Sequence, residues 1–497
     1  MNNIKGKRNI AMMVDLYELT MANSYFLTEN HDQVVVFDLF FRKNPEKGGF
    51  SIFAGLEQVV DYITNMHFEK DDVDYLRSLG IFDEGFLEYL SNFHFRGDVY
   101  AFREGTIMYP NEPVITVVAP LIDAQMVETE ILAQVNHQSL IATKARRIVR
   151  AAGNRAVSDF GARRAHNNDA AVYGARASFI GGVVGTATVL AGQDFKIPVG
   201  GTMAHSYVMY YKDELKAFRQ FASVYPNNCI LLIDTYDVLD SGIKNAITVF
   251  KEMKEKGIKS KNYGVRIDSG DLAYLTKEVR KILDKEGFKD AKIVVSNSLD
   301  EYTIVSILDQ GACIDSFGVG ERMITSKSEP VFGGVYKLSA VEENGIMEPR
   351  IKVSESVEKI TNPGLKSVYR VYNDKGHAFC DLIAKYDEKV DLDKPFRYVD
   401  PEKPWRKDYF KNCTLKSLQQ PVIKNGKRTF EKENLKDIRD YVKYQLDNEI
   451  WDEEQRFENP HIHYLDMTPD FYEMKMNMLY ELNQKKAYDC YTVKNQL

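Results

Sequence analysis

The chain has 497 residues, roughly three times the length of a typical domain, which is enough for a barrel-sized core and at least one further unit without disulfide or metal staples. At 44% hydrophobic and 28% charged residues it has the composition of a folded globular protein, which excludes a chain dominated by disorder. A net charge of -7 gives no general attraction to nucleic acid or to an anionic membrane, so the expected partners are small molecules, any anionic one being held by a local basic pocket.

At the N-terminus, Lys5, Lys7 and Arg8 precede the apolar Ile10 to Val14, but Asp15 breaks the run far short of a signal-peptide core. No later segment approaches the roughly 20 apolar residues of a membrane span. Strand-like Val34 to Phe41 and Val114 to Val118, separated by helix-like Leu56 to Met66, read as an α+β unit over residues 1–122. A long helix is expected from about Asp123 to Arg150, with Lys144, Arg146, Arg147 and Arg150 in its last turns and Gly153 just beyond.

From about residue 156 a repeating pattern sets in, in which a short apolar run ends on a polar residue and a helical stretch follows. The runs are Val157 to Phe160, Ile197 to Met203, Ile230 to Ile233 before Asp234, Tyr263 to Ile267 before Asp268, Ile293 to Val295 before Ser296 and Asn297, and Ile314 to Val319. Leu272, Leu275, Val279, Ile282 and Leu283 recur at helical spacing, as do Ile243, Ile247, Phe250 and Met253. Parallel strands joined by helices form a doubly wound sheet or a closed barrel, and in both the strand C-termini share the face where a site belongs. This α/β unit is assigned to 123–335, followed by a strand-rich return at 336–385 and a charged C-terminal extension at 386–497. The five cysteines, Cys229, Cys313, Cys380, Cys413 and Cys490, are odd in number and never in Cys-x-x-Cys spacing. They argue against a zinc site or disulfide framework and for a reducing, cytoplasmic setting.

Positive charge is densest from Lys144 to Arg176, where Arg155, Arg163, Arg164 and Arg176 join the helix-end cations. Guanidinium forks suit phosphate oxygens, whereas Arg146, Arg147 and Arg150 also read as ordinary cations at a helix C-terminus on a solvated surface. Gly318-Val319-Gly320 and Gly333-Gly334 allow backbone N–H groups to approach an oxyanion, or simply make turns. Neither a Walker A sequence nor a well-placed Gly-x-Gly-x-x-Gly occurs. Arg266-Ile267-Asp268-Ser269-Gly270-Asp271 puts a cation and two carboxylates at a strand-to-helix turn, which suits a capped helix, a sugar diol or a magnesium shell. His205, in the heptad Gly200-Gly-Thr-Met-Ala-His-Ser206, follows a paired-glycine turn and reads as either structural or chemical.

Together these motifs resemble the nicotinate phosphoribosyltransferases. The resemblance covers most of residues 10 to 340 and rests on Asp15 to Met21, Ser158 to Arg164, Gly200 to Ser206, Gly264 to Leu272 and Gly333 to Leu338. It implies an irregular TIM-like α/β barrel of the type II phosphoribosyltransferases, flanked by an α+β domain, with active sites shared in a homodimer. It also implies transfer of phosphoribose from phosphoribosyl pyrophosphate to nicotinate, coupled to ATP hydrolysis and assisted by Mg2+.

By the same resemblance His205 is the residue phosphorylated by ATP, Phe160 stacks on the pyridine ring, and Tyr17 reaches in from a second subunit. Arg163 and Arg266 hold phosphate or carboxylate oxygens, Thr202 touches nicotinate, and Gly318, Gly320, Gly333 and Gly334 approach phosphate. Asp268 meets the ribose or its metal, with Asp271 a further metal ligand. Ala187 stands where nicotinamide-using relatives carry an aspartate, which favours an acidic substrate over its amide. Glu321 departs from the small hydroxyl residue of many relatives and is left outside the site, since an acid would repel phosphate unless paired.

Overall fold

The computed structural model describes residues 8–28, 30–356, 359–390, 395–405 and 407–494, and for 407–408 and 483–494 the backbone only. Lys5 and Lys7, and the side chain of Cys490, lie outside the described residues. The chain divides into one compact unit made of 1–139 and 331–497 and a second made of 140–330.

In the first unit Val34–Phe41 is apolar except at Asp38 and buried from Val35 onward, which marks a strand covered on both faces. It pairs antiparallel with Gly334–Glu343 on one side and Ile115–Pro120 on the other. Among the described residues this sheet has seven strands, continuing through Asp98–Phe102 to Gln419–Lys424 and Lys427–Arg428. A second sheet, of six strands among the described residues, joins Lys366–Tyr372 and Ala378–Lys385 to Tyr464–Met467 and Phe396–Val399. Residues beyond 386 therefore supply strands to both sheets.

The second unit is built on a parallel sheet of six strands among the described residues. Its order is Gly185–Thr186, Ala156–Asp159, Ser316–Val319, Lys292–Ser296, Tyr263–Ile267 and Cys229–Leu232. Strands buried on both faces need continuous apolar runs, and Leu231, Val265, Ile267, Ile293, Val295, Phe317 and Val319 meet that need in one core with Ile243, Phe250, Val279 and Leu283 from the helices. Caps start the helices where the strands end: Asp271 accepts from the Tyr274 amide at 3.0 Å, and Asp300 from that of Thr303 at 2.8 Å. The established fold is thus mixed α/β with a parallel sheet whose hydrogen-bonded edges are Gly185–Thr186 and Cys229–Leu232.

Two expectations change. The helix expected from Asp123 to Arg150 is two helices, Leu121–Gln125 and Glu128–Ala152, with the break at Met126 and Val127. Ile197 to Met203 is not a strand: Pro198 lacks the N–H a ladder needs, the paired glycines follow, and all that forms is an isolated bridge between Val199 and Thr186.

A buried charge network ties the first unit together. Arg370 donates to both oxygens of Asp381, at 2.9 and 2.7 Å, and to the Ile107 carbonyl at 2.8 Å. Burial alone would push the Asp381 carboxyl up, but Arg370 and His463 overturn this and hold it well below the usual carboxylate range. Removing one partner strands a buried charge, so Asp381→Ala is expected to lose about 3–5 kcal/mol of stability in urea unfolding at neutral pH. The Asp381 contribution is complete above its unfolded pKa of about 3.9 and declines as the pH falls toward the depressed folded value, so the difference between wild type and variant narrows in acid.

Candidate active site

The C-terminal strand ends of the second unit carry a continuous set of polar side chains. At the end of Cys229–Leu232, past Ile233, the Asp234 carboxylate is only 1% exposed and faces two ways. Its Oδ1 lies 3.1 Å from His205 Nε2, and its Oδ2 accepts from the Asp268 amide at 2.8 Å and from Ser269 Oγ at 2.7 Å. His205 is the first residue of the helix His205–Tyr210, with Ala204 as its N-cap, and its side chain is 39% exposed, so a solution molecule can reach the ring. The expected strand-end histidine is therefore a helix-start histidine, brought to the strand face by Asp234.

Arg266 points from the last turn of its strand toward the heptad, where its Nη1 donates to Thr202 Oγ1. Its Nε is buried without a hydrogen-bond partner among the described residues. Burial pulls the guanidinium pKa down, Asp268 and Asp234 push it up, and the charge of Arg163 pulls it down again, which puts both arginines within electrostatic reach of each other. Two guanidiniums, one with an unspent N–H, make a site for an anion.

Asp268 Oδ1 accepts from Ser296 Oγ of the neighbouring strand, and among the described residues its Oδ2 accepts no hydrogen bond. A magnesium ion takes few carboxylates and completes its shell with water and substrate phosphate, so this single open oxygen fits one. Asp271 instead spends Oδ1 capping its helix. Groups of three or more His, Cys, Asp or Glu side chains suited to a metal do not occur among the described residues.

On the other half of the sheet, Phe160 follows Ala156–Asp159, its amide donating to the Val319 carbonyl at 2.8 Å. A Cβ at Gly318 would run into the Phe160 ring, so glycine is needed there to let the ring lie on the strand. Arg163 lies in the short 3-10 turn Ala162–Arg164 just beyond, and Ala187, which is exposed, follows Gly185–Thr186. Gly320 caps the short helix Glu321–Ile324. Glu321 is paired with Lys327 at 2.6 Å, whose hydrogen bond and charge hold its carboxyl below the ordinary range.

The remaining expected site residues belong to the first unit. Tyr17 lies on the helix Leu16–Leu27 and is 45% exposed, with its phenol pushed up by burial and by Glu128. A Cβ at Gly333 would meet open space, and the Gly334 amide donates to Asn136 Oδ1 at 3.2 Å.

Much of the basic run is structural rather than a binding surface. Lys144 and Arg147 are buried against Glu301 at 2.8 and 2.7 Å, which replaces the solvated helix-end reading for Arg147. Arg155 donates to the Ile314 carbonyl at 2.9 Å. Two residues with no role assigned from sequence, Asp234 and Ser296, prove central. Both are the polar residues that end apolar runs, so the strand-end rule that picked out Asp268 also marks them.

A parallel α/β sheet with two arginines, a carboxylate-held histidine and an aromatic ring at its strand ends has the arrangement of an enzyme site suited to an anion. The family descriptions that match are the nicotinate phosphoribosyltransferase N-terminal domain at 12–136, the nicotinate phosphoribosyltransferase family at 155–372 and its C-terminal domain at 365–475. The nicotinate phosphoribosyltransferase of Bacillus subtilis (strain 168) is 42% identical over 96% of each chain. The crystal structure of human nicotinic acid phosphoribosyltransferase matches with a TM-score of 0.83 at 26% identity, over 93% of this chain and 99% of that one. That of a nicotinate-nucleotide pyrophosphorylase from Pyrococcus furiosus matches with a TM-score of 0.67 at 25% identity, over 90% and 97%. The chain belongs to the nicotinate phosphoribosyltransferase family.

Gly318→Ala is the direct check on the ring contact. The added methyl group is expected to drive Phe160 to another rotamer and to cost about 1–3 kcal/mol of stability. Crystal structures and thermal melts of the variant and wild type read both, and an unmoved ring would contradict the packing.

Proposed function

We propose that this chain transfers the phosphoribosyl group of phosphoribosyl pyrophosphate to the ring nitrogen of nicotinate, giving nicotinate mononucleotide and pyrophosphate, and couples the transfer to ATP hydrolysis through a phosphorylated His205. The observation that carries the reading is the Asp234 bridge, which sets His205 beside the Arg266 and Asp268 strand end.

With Nε2–H donating to Asp234, the lone pair of His205 is on Nδ1, free to attack the γ-phosphorus of ATP. The new N–P bond forms as the bond to the β-phosphate oxygen breaks and ADP leaves; water later releases phosphate and restores the imidazole. Asp234 holds the tautomer and offsets the positive charge that develops on the ring.

In the transfer step the pyridine nitrogen attacks C1′ of the sugar with its own lone pair as the C1′–oxygen bond to pyrophosphate breaks, so no general base is required. Phe160 holds the pyridine ring in line, Thr202 contacts nicotinate, and Arg163 and Arg266 stabilise carboxylate and departing pyrophosphate oxygens. Asp268 orients the ribose and is the residue that would hold magnesium, whose contribution when bound is to neutralise phosphate charge. Of the glycines at these strand ends Gly320 is left to approach phosphate, and Ala187 leaves out a carboxylate that would repel nicotinate's own. The parallel sheet is the wall of an irregular barrel, and Tyr17 completes the site of a second copy in a homodimer. The free thiols Cys229, Cys313, Cys380 and Cys413 agree with a reducing, cytoplasmic setting.

Pyrophosphate release tests this with nicotinate, nicotinamide or quinolinate, each with and without ATP. Release is expected with nicotinate, stimulated by ATP, and with a higher kcat/KM than for nicotinamide; no release with nicotinate would overturn the proposal. Arg266→Ala is expected to lower kcat by about 10²-fold or more. His205→Ala should abolish the ATP stimulation while sparing part of the ATP-independent transfer, and equal loss of both would make His205 structural.

A further inference from the structure

Three loops of the second unit carry the proposed nicotinate-facing groups: the turn with Phe160, the segment with Ala187, and the heptad that begins at Gly200. A single buried pair meets all three. Asp159, 0% exposed, accepts from Thr186 Oγ1 at 2.7 Å through Oδ2 and from the Gly161 amide at 2.8 Å through Oδ1, closing the turn around Phe160. Its backbone carbonyl accepts from the Ala187 amide at 2.8 Å. Thr186, 1% exposed, uses the same hydroxyl oxygen to accept from the Thr188 amide at 2.9 Å. Its amide donates to the Pro198 carbonyl and its carbonyl accepts from the Gly200 amide, both at 3.0 Å, so the approach to the heptad is fastened to the same residue.

The backbone ladder is short here. Gly185–Thr186 is a two-residue strand at a sheet edge, in register with its neighbour at Ser158 with Gly185 and Asp159 with Thr186. Short edge strands hold position poorly on ladder bonds alone, and a hydroxyl-to-carboxylate bond in a buried site is stronger than a neutral one.

We propose that Asp159 and Thr186 are positioning residues for nicotinate, a buried pair that sets the Phe160 ring, the Ala187 backbone and the start of the Gly200 to Ser206 heptad in one fixed relation. The inference rests on the assignment of nicotinate to this face. Neither residue touches substrate; both act through the loops they hold. Burial pushes the Asp159 carboxyl up, and the Thr186 hydroxyl and Gly161 amide offset part of that rise. Threonine suits position 186 because the same oxygen donates to Asp159 and accepts from Thr188, while its methyl group fills the buried volume.

Steady-state kinetics of the full-length wild type, Thr186→Val, Thr186→Ser and Asp159→Asn, with Tm recorded for each, test the pair. Valine keeps the shape and removes the hydroxyl; the expected result is a rise of about tenfold in KM for nicotinate, with KM for phosphoribosyl pyrophosphate and kcat within about twofold of wild type. Serine restores the hydroxyl and should return KM for nicotinate to near the wild-type value. Asp159→Asn, which keeps one acceptor oxygen, should raise the same KM and supplies the reading if the valine variant does not fold. A wild-type KM for nicotinate in a folded Thr186→Val or Asp159→Asn protein overturns the proposal, as does a serine variant impaired as much as the valine one. Absence of nicotinate transfer in the wild type would instead remove the assignment beneath it.

Discussion

Asp234 is a single buried carboxylate on which the catalytic face depends. A carboxylate out of water must have its oxygens satisfied, and here a histidine ring, a backbone amide and a serine hydroxyl do so from two directions. The amide belongs to Asp268 and the serine follows it, so the same group that orients His205 also fixes the turn that presents Asp268. His205 and Asp268, the residues proposed for energy coupling and for sugar handling, are thereby held at a set separation by the strand Cys229–Leu232 and its neighbour Tyr263–Ile267. A shift of either strand end would move both.

The cationic half of the site obeys the opposite constraint. Arg266 is half-buried, its buried Nε has no hydrogen-bond partner among the described residues, and the charge of Arg163 acts on it. Such an arrangement is unfavourable until an anion arrives, and Asp234 and Asp268 relieve only part of it. Preorganised donors aimed at an anion that enters from solution are what the proposed pyrophosphate-releasing reaction would require, because the protein then needs no reorganisation as charge builds on the leaving oxygen. Thr202 takes up one of the Arg266 donors while the site waits.

The strand-and-helix rhythm of the second unit could be read directly because parallel strands buried on both faces must be continuously apolar and end where polar residues face the site. That rule located Asp234, Asp268 and Ser296 alike, but only a view of their contacts distinguishes a bridge from a strand end. It failed at Ile197 to Met203, where an apolar composition met a proline and two glycines. It failed differently at Arg147: a helix-end arginine looks solvated in sequence, and nothing in its own neighbourhood announces that Glu301, from a distant helix, will bury it. Gly318 had a phosphate-facing reading in sequence, and in the structure the Phe160 ring accounts for it. The charged tract beyond residue 386 carried no motif, since its strands are specified by partners such as Asp98–Phe102, hundreds of residues away.

That last point bears on how a unit made from both ends of a chain is kept in register. Antiparallel ladders between Val34–Phe41 and Gly334–Glu343 set the alignment, but ladders alone tolerate slippage wherever both faces are apolar. Polar groups placed inside such a sheet remove that tolerance. Asp38 interrupts an otherwise apolar strand, and its two oxygens take the Thr116 hydroxyl, at 2.7 Å, and the Lys366 ammonium, both from other strands. Sliding Val34–Phe41 by one residue would turn Asp38 to the opposite face and leave Lys366, 1% exposed, as an isolated buried cation. Arg370 and Asp381 apply the same constraint in the other sheet. Replacing either pair with apolar residues of equal volume need not weaken the fold, since such pairs contribute little net stability. Their effect is on which alignment is allowed, which is what a discontinuous unit, closed by segments separated by an entire second unit, most needs.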